Sequence, residues 1–500
     1  MIDLAPPPPR AGLSDPHELL AGLRDLRRAV YTEGRRLYAS WRSHIRRRAF
    51  LGSALNLACY LALRRRDLRP FQEALIPWGL SSLGRSESHV LANLDAVIAL
   101  LGAVVERDLK LVDSRPPLRA FQRGPRCLER NAEEALGRRP APRSVRILVT
   151  LPDEVADDPG LLREILRRGT DAVRINCAHG TPAEWERMIG HLHDAERKAG
   201  RPCRLLMDLA GPKARTGEIL APADRRLRKG DLLLLTSDAP RPHPEAVFQA
   251  SCTLPQVLSQ VEPRAAVWID DGKIGCAVER RLPEGLLLRV TQARASGHKL
   301  QGGKGLNFPG THIRLSPLTD KDREDLDFVA EHADLIGYSF VQDPEDVELL
   351  QDELAARLAD PRAKPLVAKI ETERAVHKLP ELIVAAAGRQ PFAVMIARGD
   401  LAVEIGYQRL TEIQEEILWI CEAAHVPVIW ATQVLERLVK KGTPSRAEMT
   451  DAAMGERAEC VMLNKGPFLA EAVTILDDVL TRMAAHQTKK SPRLRPLRSW

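Results

Sequence analysis

The sequence predicts an α/β protein: a (β/α)8 TIM-type barrel with an inserted β-barrel lid domain and an N-terminal all-α domain. Three observations predict it. Beyond residue 144, eight short apolar runs alternate with amphipathic segments: RILVT, DAVRINC, RLLMDL, LIGYSFV, LVAKIE, AVMIAR, PVIWAT and CVMLN. Such alternation implies parallel strands joined by helical crossovers. Residues 217–308 break the pattern with short strand and turn signals (GDLLLLT, AVWIDDGKI, LLLRVTQA) and read as one inserted β lid domain. Without that insert, segments 144–216 and 309–486 make 251 residues, against about 250 for a closed barrel of this kind.

Residues 1–140 carry the helical signals. Asp15-Pro16 is a cap followed by a first helical residue, and HELLAGLRDLRRAVYTEGRRLYASW repeats apolar residues at three-to-four spacing. Further helices are expected near 49–64, 67–78 and 86–104, with Gly84 as punctuation and GRRPAPRS (137–144) as a linker. Residues 487–500 read as a mobile basic tail.

Composition limits the function classes. With 44% hydrophobic and 28% charged residues, the chain builds sizeable cores. Its eight cysteines have neither CxxC nor Cys/His ligand spacing, which argues for a reducing compartment and against zinc or a disulfide framework. The apolar run Phe50–Leu63 is too short to span a bilayer, and MIDLAPPPPR lacks a basic start before an apolar core. A cytoplasmic protein without membrane contact is expected. The net charge of +7 is uneven: residues 1–140 hold 24 Arg/Lys against 15 Asp/Glu. No aromatics interleave with those arginines, so a solvated helix face is expected rather than a nucleic-acid partner.

The polar residues fall where chemistry is expected. In LVAKIETE, Lys369 and Glu371 interrupt a buried strand and share one face, two residues apart. The ends of the other strands carry Arg174, Asn176 and His179; Asp208, Lys213 and Arg215; Ser339; Arg398 and Asp400; and Thr432 and Gln433. The C-terminal rim is where barrels of this type place their catalytic centre. Glu371 and Asp400 among Arg174, Arg215 and Lys369 describe a divalent-metal and phosphate site, since Mg²⁺ commonly takes one or two carboxylates and fills its shell with phosphate oxygens and water.

At these residues the chain resembles the pyruvate kinase family. DAVRINCAHG, LLMDLAGPKARTGEI, WIDDGKI, GGKGLNFPG, VAKIETE, MIARGDLAVEI and VIWATQVLERL with PSRAEMTD are similar to the family's motifs, in the family's order, over residues 144–486. The resemblance implies phosphoryl transfer from phosphoenolpyruvate to ADP. Lys369, Thr432 and Arg174 would be catalytic, and Gly399, Asp400, Thr432, Arg174 and Ser339 would bind substrate. Asn176, His179, Arg215 and Lys304 would lie at the nucleotide, with Glu371 and Asp400 holding Mg²⁺ or Mn²⁺. The family's potassium cage corresponds to Asn176, Ala178, Asp208 and Leu209, so two of its oxygen-bearing side chains are hydrocarbon here. Lys213 stands where potassium-requiring members carry Glu, which implies a tethered substitute and no potassium requirement. Self-association through the barrel is an expectation of the same kind.

Departures from the family keep two other readings open: a non-catalytic phosphoenolpyruvate or nucleotide-binding regulator, and an enzyme acting on another enol phosphate or 2-keto acid. Gln342 replaces a cation, TLP (150–152) shortens the first strand's loop, and Asn464 replaces a serine of the family's proton relay. The family's C-terminal regulatory domain is expected to be absent, with the N-terminal helices in its place.

Overall fold

The computed structural model describes residues 13, 15–106, 113–489 and 491–492. The opening MIDLAPPPPR and the tail beyond residue 492 lie outside the described residues. Among the described residues, five α-helices precede the barrel: α1 (Pro16–Trp41), α2 (Leu51–Arg64), α3 (Arg69–Leu75), α4 (Val90–Val105) and α5 (Leu118–Leu136). Asp15 caps α1 by accepting from the His17 N–H at 3.0 Å. Among the described residues one stretch, Glu87–Val105, is long and apolar enough to cross a membrane by length and composition, and half of it is buried against its neighbours.

The helix α5 is not among those expected, and it carries Gly124-Pro125 in its interior. The structure explains the glycine: a Cβ at position 124 would lie 2.0 Å from the Ser88 carbonyl oxygen and 2.7 Å from His425 Nε2. The helix crosses too closely there for any side chain.

Eight parallel strands then close into a barrel. They are β1 (Arg146–Thr150), β2 (Ala172–Asn176) and β3 (Arg204–Asp208), followed after the lid by β11 (Leu335–Tyr338), β12 (Leu366–Ile370), β13 (Phe392–Ala397), β14 (Val428–Ala431) and β15 (Cys460–Leu463). All eight predicted strands form. The lid contributes β4 (Thr216–Leu220), β5 (Leu232–Thr236), β6 (Phe248–Cys252), β7 (Ala266–Ile269), β8 (Ile274–Leu282), β9 (Gly285–Gln292) and β10 (Leu306–Asn307). These make one seven-stranded sheet with β10 and β4 at its two ends. The two ends come together around the Arg215–Gly305 bridge, where the Thr216 N–H donates to the Lys304 carbonyl (2.8 Å), the Gly303 N–H to the Thr216 carbonyl (2.6 Å) and the Leu306 N–H to the Ala214 carbonyl (2.9 Å), so the lid closes on itself.

Period-two alternation sorts each barrel strand into an outer and an inner face. Leu148, Leu206, Val367, Met395, Ile429 and Met462 fill the interior, and Ala135 and Leu136 at the end of α5 pack with them. Arg146, at the start of β1, donates to the Gly137 carbonyl, so α5 closes the N-terminal floor of the barrel. Lys369 and Glu371 continue the inward face of Val367 and emerge at the opposite, C-terminal rim.

The N-terminal helices and the barrel share one continuous apolar cluster. Polar contacts fix the junction. Arg46 and Arg47 N–H groups donate to the Gly388 carbonyl (2.8 and 2.7 Å), Asn56 donates to that of Ala423 (2.8 Å), and Asn131 to that of His425 (2.7 Å). Arg64 lies 4.8 Å over the Trp419 ring. Part of the predicted mobile tail is also tethered: Lys489 pairs with Glu459 and donates to the Arg457 carbonyl.

His425 is buried in this junction between Ser53 Oγ at Nδ1 (2.9 Å) and the Ser88 carbonyl at Nε2 (3.0 Å). A carbonyl only accepts, so Nε2 carries the proton and Nδ1 accepts from Ser53. Burial, then Arg123 and Arg130, hold its pKa below the usual histidine value against Glu422 and the Ser88 bond. The unfolded chain therefore binds this proton first, near pH 6.5. Stability attributable to neutral His425 is present above that pH and is lost as pH falls below it. Melting curves should show a midpoint that drops between pH 7.5 and 5.5 in the wild type and drops less in His425→Gln; equal slopes would refute the assignment.

Candidate active site

Lys369 is the hub of the rim. Its Nζ lies 2.8 Å from Ser339 Oγ, 3.2 Å from Glu371 and 3.4 Å from Asp208. Burial opposes its charge, but Asp208 and Glu371 outweigh burial and hold its pKa above the ordinary lysine value. Asp208 is fully buried and is bound by Arg174 through Nε at 2.9 Å; despite burial, Lys369 and Arg174 keep its carboxyl below the usual carboxylate range. Arg174 also donates to Thr150 (3.2 Å). Glu371 accepts from the Phe340 N–H at 2.7 Å, and burial pushes its pKa up against the pull of Lys369.

The second carboxylate, Asp400, sits in the first turn of the helix Arg398–Ile405. Its Oδ1 is 2.7 Å from Lys213 Nζ and 3.4 Å from Asn307 Nδ2. The Gly399 N–H donates to Thr432 Oγ1 at 2.7 Å. Thr432, Gln433 and Leu435 all have left-handed backbones, with φ between 49° and 62°. Strain of this kind, about 1–3 kcal/mol per residue, persists where the surroundings over-determine it. Arg398 fixes the turn by donating to the Ala431 and Thr432 carbonyls and pairing with Asp451.

The structure thus brings together Arg174, Asp208, Ser339, Lys369 and Glu371 in one network, and Asp400 with Lys213, Gly399 with Thr432. Ser339 fits because residue 211 is glycine: a Cβ there would lie 2.9 Å from the serine Cβ, and its φ is +69°. The predicted nucleotide residues fall into two sets that no direct bond joins. Asn176 accepts from the Ala178 N–H (3.2 Å) on the barrel rim beside His179, whose pKa is lowered by burial and then by Lys465. Arg215 and Lys304 are on the lid, where Arg215 donates to the Gly303 carbonyl (3.1 Å) and Lys304 lies 3.5 Å from Asp270.

Sequence reasoning misses two members, Glu404 and Asn307, and assigns a third a different part. Asp208, expected at the rim and as a cage oxygen, is the buried acceptor that aligns Arg174 and Lys369. Glu404, four residues after Asp400 and so on the same helix face, is half-buried with a pKa pushed up by desolvation to about 7. Asn307, on the lid, reaches both carboxylates.

No group of three or more His, Cys, Asp or Glu placed to hold a metal ion occurs among the described residues. Two carboxylates that now rest on lysine ammoniums nevertheless suit a hard divalent ion, which draws its remaining ligands from substrate and water.

A closed (β/α)8 barrel whose rim gathers cations and two carboxylates under an inserted lid defines an enzyme that handles anionic substrates. Residues 142–473 match the family described as "Pyruvate kinase, barrel domain". The chain is 33% identical over 344 residues to the pyruvate kinase of Methylorubrum extorquens, covering 67% of this chain and 68% of that one. It is 31% identical to pyruvate kinase 2 of a Synechocystis species (69% and 57%) and 31% identical to pyruvate kinase PKLR of Homo sapiens (67% and 58%). The chain belongs to the pyruvate kinase family.

Proposed function

We propose that this protein transfers a phosphoryl group from phosphoenolpyruvate to ADP, giving pyruvate and ATP. The observation that carries the reading is Lys369, held charged between Asp208 and Glu371 with Arg174 on the same aspartate. A phosphoryl group in flight spreads negative charge over its oxygens, and catalysis is mostly preorganised positive charge aimed at them. Lys369 and Arg174 supply that charge. Gly399, at the start of its helix beside Thr432, offers a backbone N–H environment for the substrate carboxylate. Thr432 stands where the enolate would receive its proton.

Glu371 and Asp400 would hold Mg²⁺, which neutralises phosphate charge and orients the substrate when bound. Asn176, His179, Arg215 and Lys304 would embrace the nucleotide phosphates, two from the rim and two from the lid. Lid closure would exclude water and favour ADP as acceptor. A lactate dehydrogenase-coupled assay with phosphoenolpyruvate, ADP and Mg²⁺ tests the reading. Pyruvate formation is expected; substrate binding without turnover would make the protein a sensor instead.

Potassium should be dispensable. Asp208 is committed to Arg174 and Lys369, and Leu209 is buried hydrocarbon, so no cage of oxygens remains. The Lys213 ammonium, a compact tethered charge, lies against Asp400 instead. Full activity is expected in potassium-free buffer, with Lys213→Glu nearly inactive and poorly rescued by potassium. Strong activation by KCl but not by tetramethylammonium chloride would contradict this.

A further inference from the structure

The lid meets the barrel at the helix Arg398–Ile405 through two contacts on one rigid corner. The first is Asn307 on β10, whose Nδ2 lies 3.4 Å from Asp400 Oδ1 and 3.4 Å from Glu404 Oε1. The second is the turn Asp270–Asp271–Gly272 that follows β7, with three consecutive left-handed residues at φ 58°, 54° and 82°. A Cβ on Gly272 would be 3.4 Å from Val403 Cγ2 and 3.6 Å from Tyr407 Oη, so the turn lies against the same helix and its successor. The two contacts move together, because Asn307 pairs with Trp268 and Leu306 with Ile269, immediately before the turn. The Asp270 N–H also donates to the Gly305 carbonyl at 3.1 Å.

The chemistry of the first contact is selective. An amide nitrogen has two hydrogens, so one can serve Asp400 while the other is anchored by Glu404. Asn307 is neutral, so it orients a carboxylate without cancelling its charge. Asp400 Oδ1 then takes both Lys213 and Asn307, and no described residue bonds Oδ2. Beside this contact lies a cavity of about 540 Å³, lined in part by Phe308, Ile313, Phe340, Thr372 and Glu404. The lid foot therefore rests on a narrow seat with free space next to it and can lift without opening a packed core.

We infer that Asn307 and Glu404 are positioning residues: they latch the lid to this helix and turn the Asp400 carboxylate so that Oδ2 faces the divalent ion only when the lid is down. The inference rests on the proposed metal role of Asp400. It assigns the lid a second task besides excluding water, that of completing the metal site.

The test uses the full-length protein without substrate. Mn²⁺ binding is followed by electron paramagnetic resonance, and lid exposure by hydrogen–deuterium exchange over residues 266–276. In Asn307→Ala, Mn²⁺ should bind about 10-fold more weakly, the usual cost of losing a partner that orients a metal ligand, and the lid segment should exchange faster. Glu404→Ala should do the same, whereas Glu404→Gln, which keeps an acceptor, should stay close to wild type. Melting midpoints near the wild-type value confirm that the variants fold. Unchanged Mn²⁺ affinity and unchanged exchange in Asn307→Ala would overturn the latch whatever the turnover. A loosened lid with weaker Mn²⁺ in a protein that forms no pyruvate would uphold the latch and sink the proposed reaction.

Discussion

Lys369→Met is expected to fold and to lose activity by a factor on the order of 10³ or more, because a preorganised charge aimed at a transferring phosphoryl group is worth that much. The fold should survive because neither carboxylate is stranded. Asp208 keeps Arg174, and Glu371 keeps the Phe340 N–H. The substituted side chain is of similar length and continues the inward face of Val367. Far-UV circular dichroism and a melting curve check the fold, and the coupled assay checks the rate. Turnover near the wild-type value would mean that the charge at this point of the rim does not act on the phosphoryl group.

Deleting residues 1–136 should leave a barrel that is insoluble or fails to fold. The helices are part of its core rather than an appendage. Ala135 and Leu136 belong to the interior cluster with residues of all eight strands, and α2 lies on the helix Tyr407–Ala423 through Asn56 and Arg64 and on His425 just beyond it through Ser53. Removing them would open the floor, expose apolar helix faces and leave His425 without either of its partners. A soluble, cooperatively melting fragment with midpoint within a few degrees of the full chain would contradict this.

The barrel was legible because strands buried on both faces read as nearly continuous apolar runs. A charged residue inside such a run therefore stands out, and Lys369, Glu371 and Arg174 could be found that way. Asp400 and Thr432 followed from their place just beyond β13 and β14. What stayed hidden depends on contacts between distant segments. The helix α5 was not expected, and the reason for its Gly124 lies at Ser88 and His425. Asn307 looks like any turn-flanking polar residue until β10 is paired with β7 and brought over Asp400. Asp208 could be read as an oxygen donor, but its commitment to Arg174 and Lys369 needs the closed barrel. The lid's strands were visible as well, apart from β10, since a two-residue strand leaves almost no periodic trace.

The central claim is that this rim passes a phosphoryl group from an enol phosphate to a nucleotide while the lid keeps water out. Phosphorus-31 NMR of the wild-type protein with phosphoenolpyruvate, ADP and Mg²⁺ in potassium-free buffer tests it most directly, because it reports where the phosphorus goes. The account predicts that the enol phosphate resonance falls as the γ-phosphate of ATP rises in equal amount, with no matching growth of inorganic phosphate. Accumulation of inorganic phosphate, or spectra unchanged by active-concentration protein, would contradict it.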